Sequence, residues 1–369
     1  MGNLPLGNFL YICTGFATYK YIIMTKIVKS PFQFGTLATK DNFIDRVEDR
    51  ALLKQLLSSH INTMLISPRR WGKSSLVKMA MDELLAEDKS VRVCYIDGFS
   101  IGSEDEFYRV FASQVIACTS NKVERWISDA KSDKNTILQL PELLGKEKGL
   151  HIIVCIDEFQ QLAKLPQYKD MEGKMRSAWQ QQEHVSYCFY GSKRTMMLEI
   201  FNNSNSPFYR FGQVIFMDKI AKEDWIPFIT SSFEKTGKKC SAEYASRICD
   251  IVECHSWYLQ QLCYFIWSYT DDEVDEDSYN RGLRQTLNIN TPMFQNDTEN
   301  LSQSQIEMLR AISNGETKLS SEDVKRRYSL GNPNTITKNK LALVKRDILD
   351  NDKGILTFVD PLYRIWLKG

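Results

Sequence analysis

Apolar positions along this chain follow two different periods. Five short, nearly unbroken apolar runs, Asn62 to Ile66, Val91 to Asp97, Leu150 to Asp157, Val185 to Tyr190 and Val214 to Met217, read as strands. Runs of this length without polar alternation are expected where a strand is buried on both faces. Between them the spacing becomes helical over Lys73 to Glu87, Glu104 to Thr119 and Glu172 to Gln182, and an amphipathic segment, Ala51 to Ser58, precedes the set. Strands alternating with helices predict a mostly parallel sheet covered on both faces, with the ligand at the carboxyl ends of its strands.

Beyond residue 218 the strand signal fades. Residues 221 to 270 are helical by pattern, with Trp225, Ile226, Phe228, Ile229 and Phe233 at helical spacing, and Asp271 to Asn300 reads as a polar helix and linker. The remainder reads as a winged helix-turn-helix: a helix over Ser302 to Ile312, a second capped at Ser320-Ser321-Glu322-Asp323, a turn at Gly331-Asn332-Pro333-Asn334, a third helix over Thr335 to Leu349, and a wing strand over Gly354 to Val359. The expected organisation is an N-terminal extension (1–30), an α/β core (31–218), a helical lid with linker (219–299) and a winged helix (300–369).

Composition narrows the classes. A chain of 369 residues exceeds one ordinary core. Lys and Arg total 47 against 46 for Asp and Glu, so the overall charge gives no reason to expect nucleic acid or an anionic membrane, and any such case must be local. The nine cysteines are scattered, without a C-x-x-C pair, and several sit inside apolar runs where a thiol packs as a small hydrophobe. They suggest a reduced, cytoplasmic protein; Cys249, Cys254 and His255 lack a second ligand pair at zinc spacing. Asn8 to Met24 is too short and too polar to span a membrane, and it lacks the basic start and cleavage site of a signal peptide. Met24-Thr25-Lys26 reads as a start, with residues 1–23 outside the fold.

Chemistry enters at residues 67 to 75, Ser67-Pro68-Arg69-Arg70-Trp71-Gly72-Lys73-Ser74-Ser75, set between the first strand and the first long helix. A tight turn followed by a helix start surrounds a polyphosphate with backbone N–H groups and a positive dipole end. Lys73 is placed for the β and γ oxygens and the Ser74 hydroxyl for Mg²⁺. Ser67 replaces the first glycine of the usual G-x-x-x-x-G-K-[ST] pattern, which is tolerable if its φ is negative. A chance Gly-Lys-Ser is the rival reading. It is weakened by Leu150 to Asp157, an apolar run ending in an acid and followed at once by Glu158. There Asp157 would orient the Mg²⁺ shell and Glu158 polarise an attacking water, the arrangement of an ASCE-type P-loop NTPase. Arg69 and Arg70 could brace phosphates or pair with acids elsewhere.

With these segments in order, the chain resembles the prokaryotic, archaeal-type ATPases related to the AAA and STAND NTPases. The resemblance covers roughly residues 31 to 369 and is carried by F-I-D-R-V-E-D (43–49), S-P-R-R-W-G-K-S-S (67–75), I-D-E-F-Q (156–160), Y-G-S-K (190–193), S-P-F-Y-R (206–210), H-S-W-Y-L-Q (255–260) and D-P-L-Y-R-I-W-L (360–367). It implies ATP and Mg²⁺ as ligands, the segment around Arg46 near the adenine, Ser192 at a sensor position, and Arg210 as an arginine near the γ-phosphate. Ser192 as a helix cap and Arg210 in an ion pair are equally weighted alternatives. The family's Gly-His-Pro is replaced by Cys254-His255-Ser256, so its proline contact to the base is missing; a capping or packed His255 is favoured over one at the nucleotide.

Two functions follow, with a small-molecule kinase as a weaker third. One is an ATP-hydrolysing switch in which turnover repositions the C-terminal unit. The other is a regulator that binds double-stranded DNA through the winged helix, where Lys318, Lys325, Arg326, Arg327, Lys338, Lys340, Lys345 and Arg346 outnumber the local acids. So modest an excess favours a solvated face or a protein partner over DNA. The oligomeric state is left open.

Overall fold

A computed structural model describes residues 29–37, 43–44, 46–119, 133–352 and 354–368; the expected N-terminal extension lies almost wholly outside them. Helix α1 (Val47–Ser58) leads into β1 (Thr63–Ile66), the phosphate loop and α2 (Lys73–Glu87). Then come β2 (Val91–Asp97), α3 (Glu104–Thr119), α4 (Lys134–Lys148), β3 (His151–Asp157), α5 (Tyr168–Trp179), β4 (Val185–Gly191), α6 (Arg194–Asn202) and β5 (Gln213–Phe216). The strands form one parallel sheet in the order β2-β3-β4-β1-β5. Inserting β4 between β1 and β3 leaves the loop after β1, the acids ending β3 and the residue after β4 side by side on one edge.

Period-two alternation divides the strand side chains between two cores. Met64, Ile66, Ile152, Val154, Ile156 and Phe189 face α3 to α6, whereas Leu65, Ile153, Cys155, Cys188 and Tyr190 face α1 and α2. Burial of each such side chain contributes about 1.5–3 kcal/mol, so the edge rests on a stiff support.

The helical region consists of α7 (Lys222–Glu234), α8 (Ala242–Ile251), α9 (Ser256–Tyr269) and α10 (Glu276–Glu299). The expected polar helix and linker is almost wholly helix: α10 runs unbroken for 24 residues, started by an Asp275/Ser278 capping box. It buries Ser278, Gly282, Thr286 and Asn290 among others, and the Asn290 amide donates to Gln261 Oε1 at 2.8 Å. Small and hydrogen-bonded residues do the packing here, which blurs the helix's full extent in an apolar-periodicity reading.

The winged helix comprises α11 (Gln303–Ser313), α12 (Glu322–Arg327), α13 (Pro333–Lys345), the antiparallel pair β6 (Leu349–Asp352) and β7 (Ile355–Phe358), and α14 (Pro361–Trp366). Helix α13 starts two residues earlier than expected because Asn332 caps it and Pro333 takes the first turn. It ends four residues earlier, where Asp347 turns left-handed (φ 58°) and frees Leu349 for the wing. One apolar cluster, including Trp225, Tyr258, Phe294, Leu343 and Tyr363, runs through the helical region and the winged helix alike. No helix among the described residues is long and apolar enough to cross a membrane.

Candidate nucleotide site

Ser67 to Gly72 turn the chain from β1 into α2. Ser67 is buried and is not among the positive-φ residues; its N–H donates to the Gly191 carbonyl at 3.4 Å, so serine fits where glycine is usual. The left-handed positions are Arg70 (φ 65°) and Gly72 (φ 91°). A Cβ at Gly72 would meet nothing within 4 Å, so backbone conformation, not crowding, selects glycine there. Gly72 begins α2 without a side-chain cap, which leaves the helix's first N–H groups facing the loop.

The sheet edge brings the predicted cation and acids together. Lys73 Nζ lies 3.3 Å from both Asp157 Oδ1 and Glu158 Oε1, with only 8% of its side chain exposed. Ser74 Oγ donates to Asp157 Oδ2 at 2.7 Å. Ser74 and Asp157 are hard oxygen donors suited to Mg²⁺, which keeps few protein ligands and completes its shell with phosphate and water. Among the described residues no group of three or more His, Cys, Asp or Glu could hold a metal.

Glu158 sits in a left-handed turn (φ 47°) directly after β3. Its Oε2 accepts from Ser192 Oγ at 2.8 Å and from the Gln160 amide at 2.5 Å. Burial pushes this carboxyl up, but Lys73, Ser192 and Gln160 together outweigh burial and hold it below the ordinary carboxylate range. Gln160 is fully buried, and a Cβ on Gly191 would lie 2.0 Å from its Oε1, so the pair requires glycine at the end of β4. Gln160 was not anticipated from sequence; its position two residues after Glu158 in the I-D-E-F-Q run was the available signal. Ser192 contacts the acid instead of capping α6, and Arg69 Nε approaches Ser192 Oγ at 3.5 Å.

Beside the loop lies a cavity of about 420 Å³, a size suited to a small ligand. Pro68, Trp71 and Ser75 contribute to its wall, facing Trp257, Gln260 and the 33–37 segment, in which Phe34 packs on Trp257 and Tyr264. This strap and Trp257 were not legible beforehand. Arg46 also lines the cavity, but its guanidinium is engaged by Asp49 and by the carbonyls of Trp71 and Asp218, bracing the wall. His255 precedes α9 without capping it through its side chain and packs on Tyr258, ring centroids 4.7 Å apart. Burial, aided by Lys219, lowers its pKa to about 3.

Two arginines stand apart from the cluster. Arg70 points toward the helical region, its Nη1 donating to Tyr258 OH at 3.2 Å. Arg210 is exposed, lies 5.1 Å over the Tyr209 ring, and has no ion pair among the described residues. The Thr63–Gln213 register puts Arg210 at the amino-terminal edge of the sheet, opposite Lys73.

Residues 43–262 match the family described as an ATPase domain predominantly from Archaea. The chain belongs to that family. Residues 292–369 match a family described as a probable winged helix domain. Among solved structures, a Walker-type ATPase of Pyrococcus abyssi is similar at TM-score 0.72 and 17% identity, over 89% of this chain and 97% of that one. The ORC2 protein of Aeropyrum pernix, in ADPNP–ADP complexes, follows at TM-score 0.63 and 13% identity, over 90% and 94%. The ORC1 protein of Aeropyrum pernix in complex with DNA is similar at TM-score 0.51 and 12% identity, over 94% of this chain and 95% of that one. No curated protein matches the chain in sequence. This archaeal-type ATPase therefore has the P-loop NTPase fold, a parallel sheet with a helical region and a C-terminal winged helix.

Proposed function

We propose that this protein is a Mg²⁺-dependent ATPase that works as a nucleotide-driven switch with the winged helix as its output. The observation that carries the reading is the convergence of Lys73, Ser74 and Asp157 under the open start of α2, with Glu158 beside them. In this reading the loop N–H groups and Lys73 hold the β and γ phosphates, Ser74 and Asp157 hold Mg²⁺, and the aromatic-walled cavity takes the adenine. The metal would supply charge neutralisation on the phosphate oxygens. Glu158, held in its ionised form, accepts a proton from the attacking water, and Ser192 with Gln160 fixes its carboxylate. Solved complexes of the ORC2 protein with ADPNP and ADP support an adenine nucleotide for this fold. Arg210, at the far end of its own sheet, is assigned to the nucleotide of a neighbouring copy, which makes turnover a property of an oligomer.

For the output, one observation favours duplex DNA over a merely solvated face. The cations of α12 are paired with Glu316, Glu322 and Asp323, but Lys338 and Lys345 on the exposed side of α13 have no ion-pair partner among the described residues. A duplex shift that weakens with salt supports this partner, whereas no shift at low salt points to a protein.

Calorimetry with ATP in millimolar Mg²⁺, together with phosphate release, tests the nucleotide reading. Lys73→Ala is expected to weaken binding by roughly 100-fold or more, the loss of a charge-assisted phosphate contact in a buried setting. Wild-type protein that binds no adenine nucleotide would overturn it.

A further inference from the structure

Arg70 is the exception within the phosphate loop. Its backbone is left-handed, a conformation that a non-glycine residue keeps only when its surroundings hold it. The surroundings are remote in sequence. Besides the Tyr258 hydroxyl, its guanidinium meets Met293 Sδ at 3.7–3.8 Å and lies 5.1 Å over the Trp257 ring. Tyr258 is fully buried and gives its one hydroxyl proton to Asp360 Oδ2, so its oxygen is left to accept from Arg70. Asp360 Oδ1 accepts from the N–H groups of Leu362 and Tyr363, each at 3.0 Å, and so caps α14. A continuous chain of contacts therefore joins the phosphate loop to the last helix of the winged helix.

Arg70 also lines both the nucleotide cavity and a second cavity, of about 680 Å³, between the core and the winged helix. Across this second cavity the residues following Ser192 reach the same unit: Lys193 pairs with Asp347 at 3.3 Å and Arg194 with Asp350 at 3.6 Å. These pairs are partly exposed and contribute little by themselves. They show that both loops at the nucleotide edge abut the winged helix.

The partners of Arg70 are a neutral hydroxyl, a thioether and a ring face. A phosphate oxygen beside the same loop is a stronger acceptor, since both groups are then charged. We propose that Tyr258 and Asp360 are positioning residues of the nucleotide site, holding Arg70 off the loop's phosphate position until a triphosphate binds, and that a bound triphosphate recruits Arg70 and so loosens the docking of α14. This rests on the nucleotide reading above and assigns its regulation. Linkage requires reciprocity: whatever weakens the Arg70–Tyr258 contact tightens nucleotide binding.

The test uses the full chain and MgATP. Tyr258→Phe keeps the ring packing and is expected to tighten binding by roughly 5-fold, in the usual range of coupling between sites. Arg70→Gln is expected to weaken it, and Arg70→Gln/Tyr258→Phe should match Arg70→Gln alone, the non-additivity of one connected unit. Unchanged or weaker binding by Tyr258→Phe, or the same gain in the Arg70→Gln background, overturns the relay. Hydrogen exchange of the α14 amides in nucleotide-free protein gives a readout that survives failure of the nucleotide reading. Arg70→Gln and Tyr258→Phe should both accelerate it; exchange at the wild-type rate in both variants would remove the relay even if ATP binds.

Discussion

The two ends of the parallel sheet both gather polar side chains, yet only one is built as a site. At the carboxyl end, Lys73, Asp157 and Glu158 carry opposite charges within hydrogen-bond distance, next to an open helix start and a cavity. At the amino end, His60 stacks on His151 with ring centroids 3.9 Å apart, His151 meets Ser186, and His184 meets Glu142. There the groups satisfy one another, and neither described cavity is lined by them. What separates the ends is room for a ligand: the first lies beside an uncapped helix start and a cavity, whereas the polar groups of the second line neither described cavity.

The largest effect should come from the acid at the carboxyl end. Glu158→Gln is expected to retain MgATP while phosphate release falls by roughly 10²–10³-fold, the range for losing a general base. Equal turnover would remove Glu158 from the chemistry. Arg210→Ala tests the opposite end. Nucleotide affinity should stay as in wild type, while hydrolysis falls by at least about tenfold, because the lost charge would act on a neighbour's phosphate. Mixing this variant with Lys73→Ala should restore some hydrolysis, since each chain supplies what the other lacks; no recovery argues for action within one chain or none.

A smaller effect is expected where the carboxyl end is packed most tightly. Gly191→Ala forces a methyl into Gln160 and within 2.8 Å of Met197 Sδ. Overpacking of this kind costs about 1–3 kcal/mol, so the urea midpoint should fall, and phosphate release should fall with it as Gln160 leaves Glu158. A change in stability with turnover intact would show that Gln160 does not orient the acid.

The carboxyl end was far more legible in the sequence than the amino end, and the reason is local. Lys73 and Ser74 are fixed by a contiguous loop, and Asp157 and Glu158 end a run whose apolar character marks a central strand. Tyr258, Asp360 and the 33–37 strap act through contacts that fold back over long stretches of chain, which no spacing rule captures. Arg210 shows the complementary case: a motif match implied a place near the γ-phosphate, while strand register decides which end of the sheet it occupies. Helix α10 was blurred because hydrogen-bonded Asn290 and Thr286 do the work of apolar residues.

The two ends should also separate by pH, with the smallest effect of the set. Ser186 Oγ donates to the Leu57 carbonyl at 2.8 Å, so it accepts from a proton on His151 Nε2. Burial first, then the charge of His60, lowers His151 from 6.5 to about 4; Asp88 opposes this and His184 adds to it. The folded chain thus resists a proton that the unfolded chain accepts, so stability contributed by the neutral form is complete above about pH 6.5 and is lost as pH falls toward about 4. Glu158 has the opposite identity and a lower window: its ionised form stabilises the fold at neutral pH, and that contribution fades only as pH falls below the ordinary carboxylate value of 4.5. His151→Gln should therefore flatten the fall in urea midpoint between pH 7 and pH 5 without altering nucleotide affinity at pH 7, whereas Glu158→Gln should leave that upper window unchanged. A His151→Gln chain as acid-sensitive as wild type across this interval would show that the amino end carries no titrating strain.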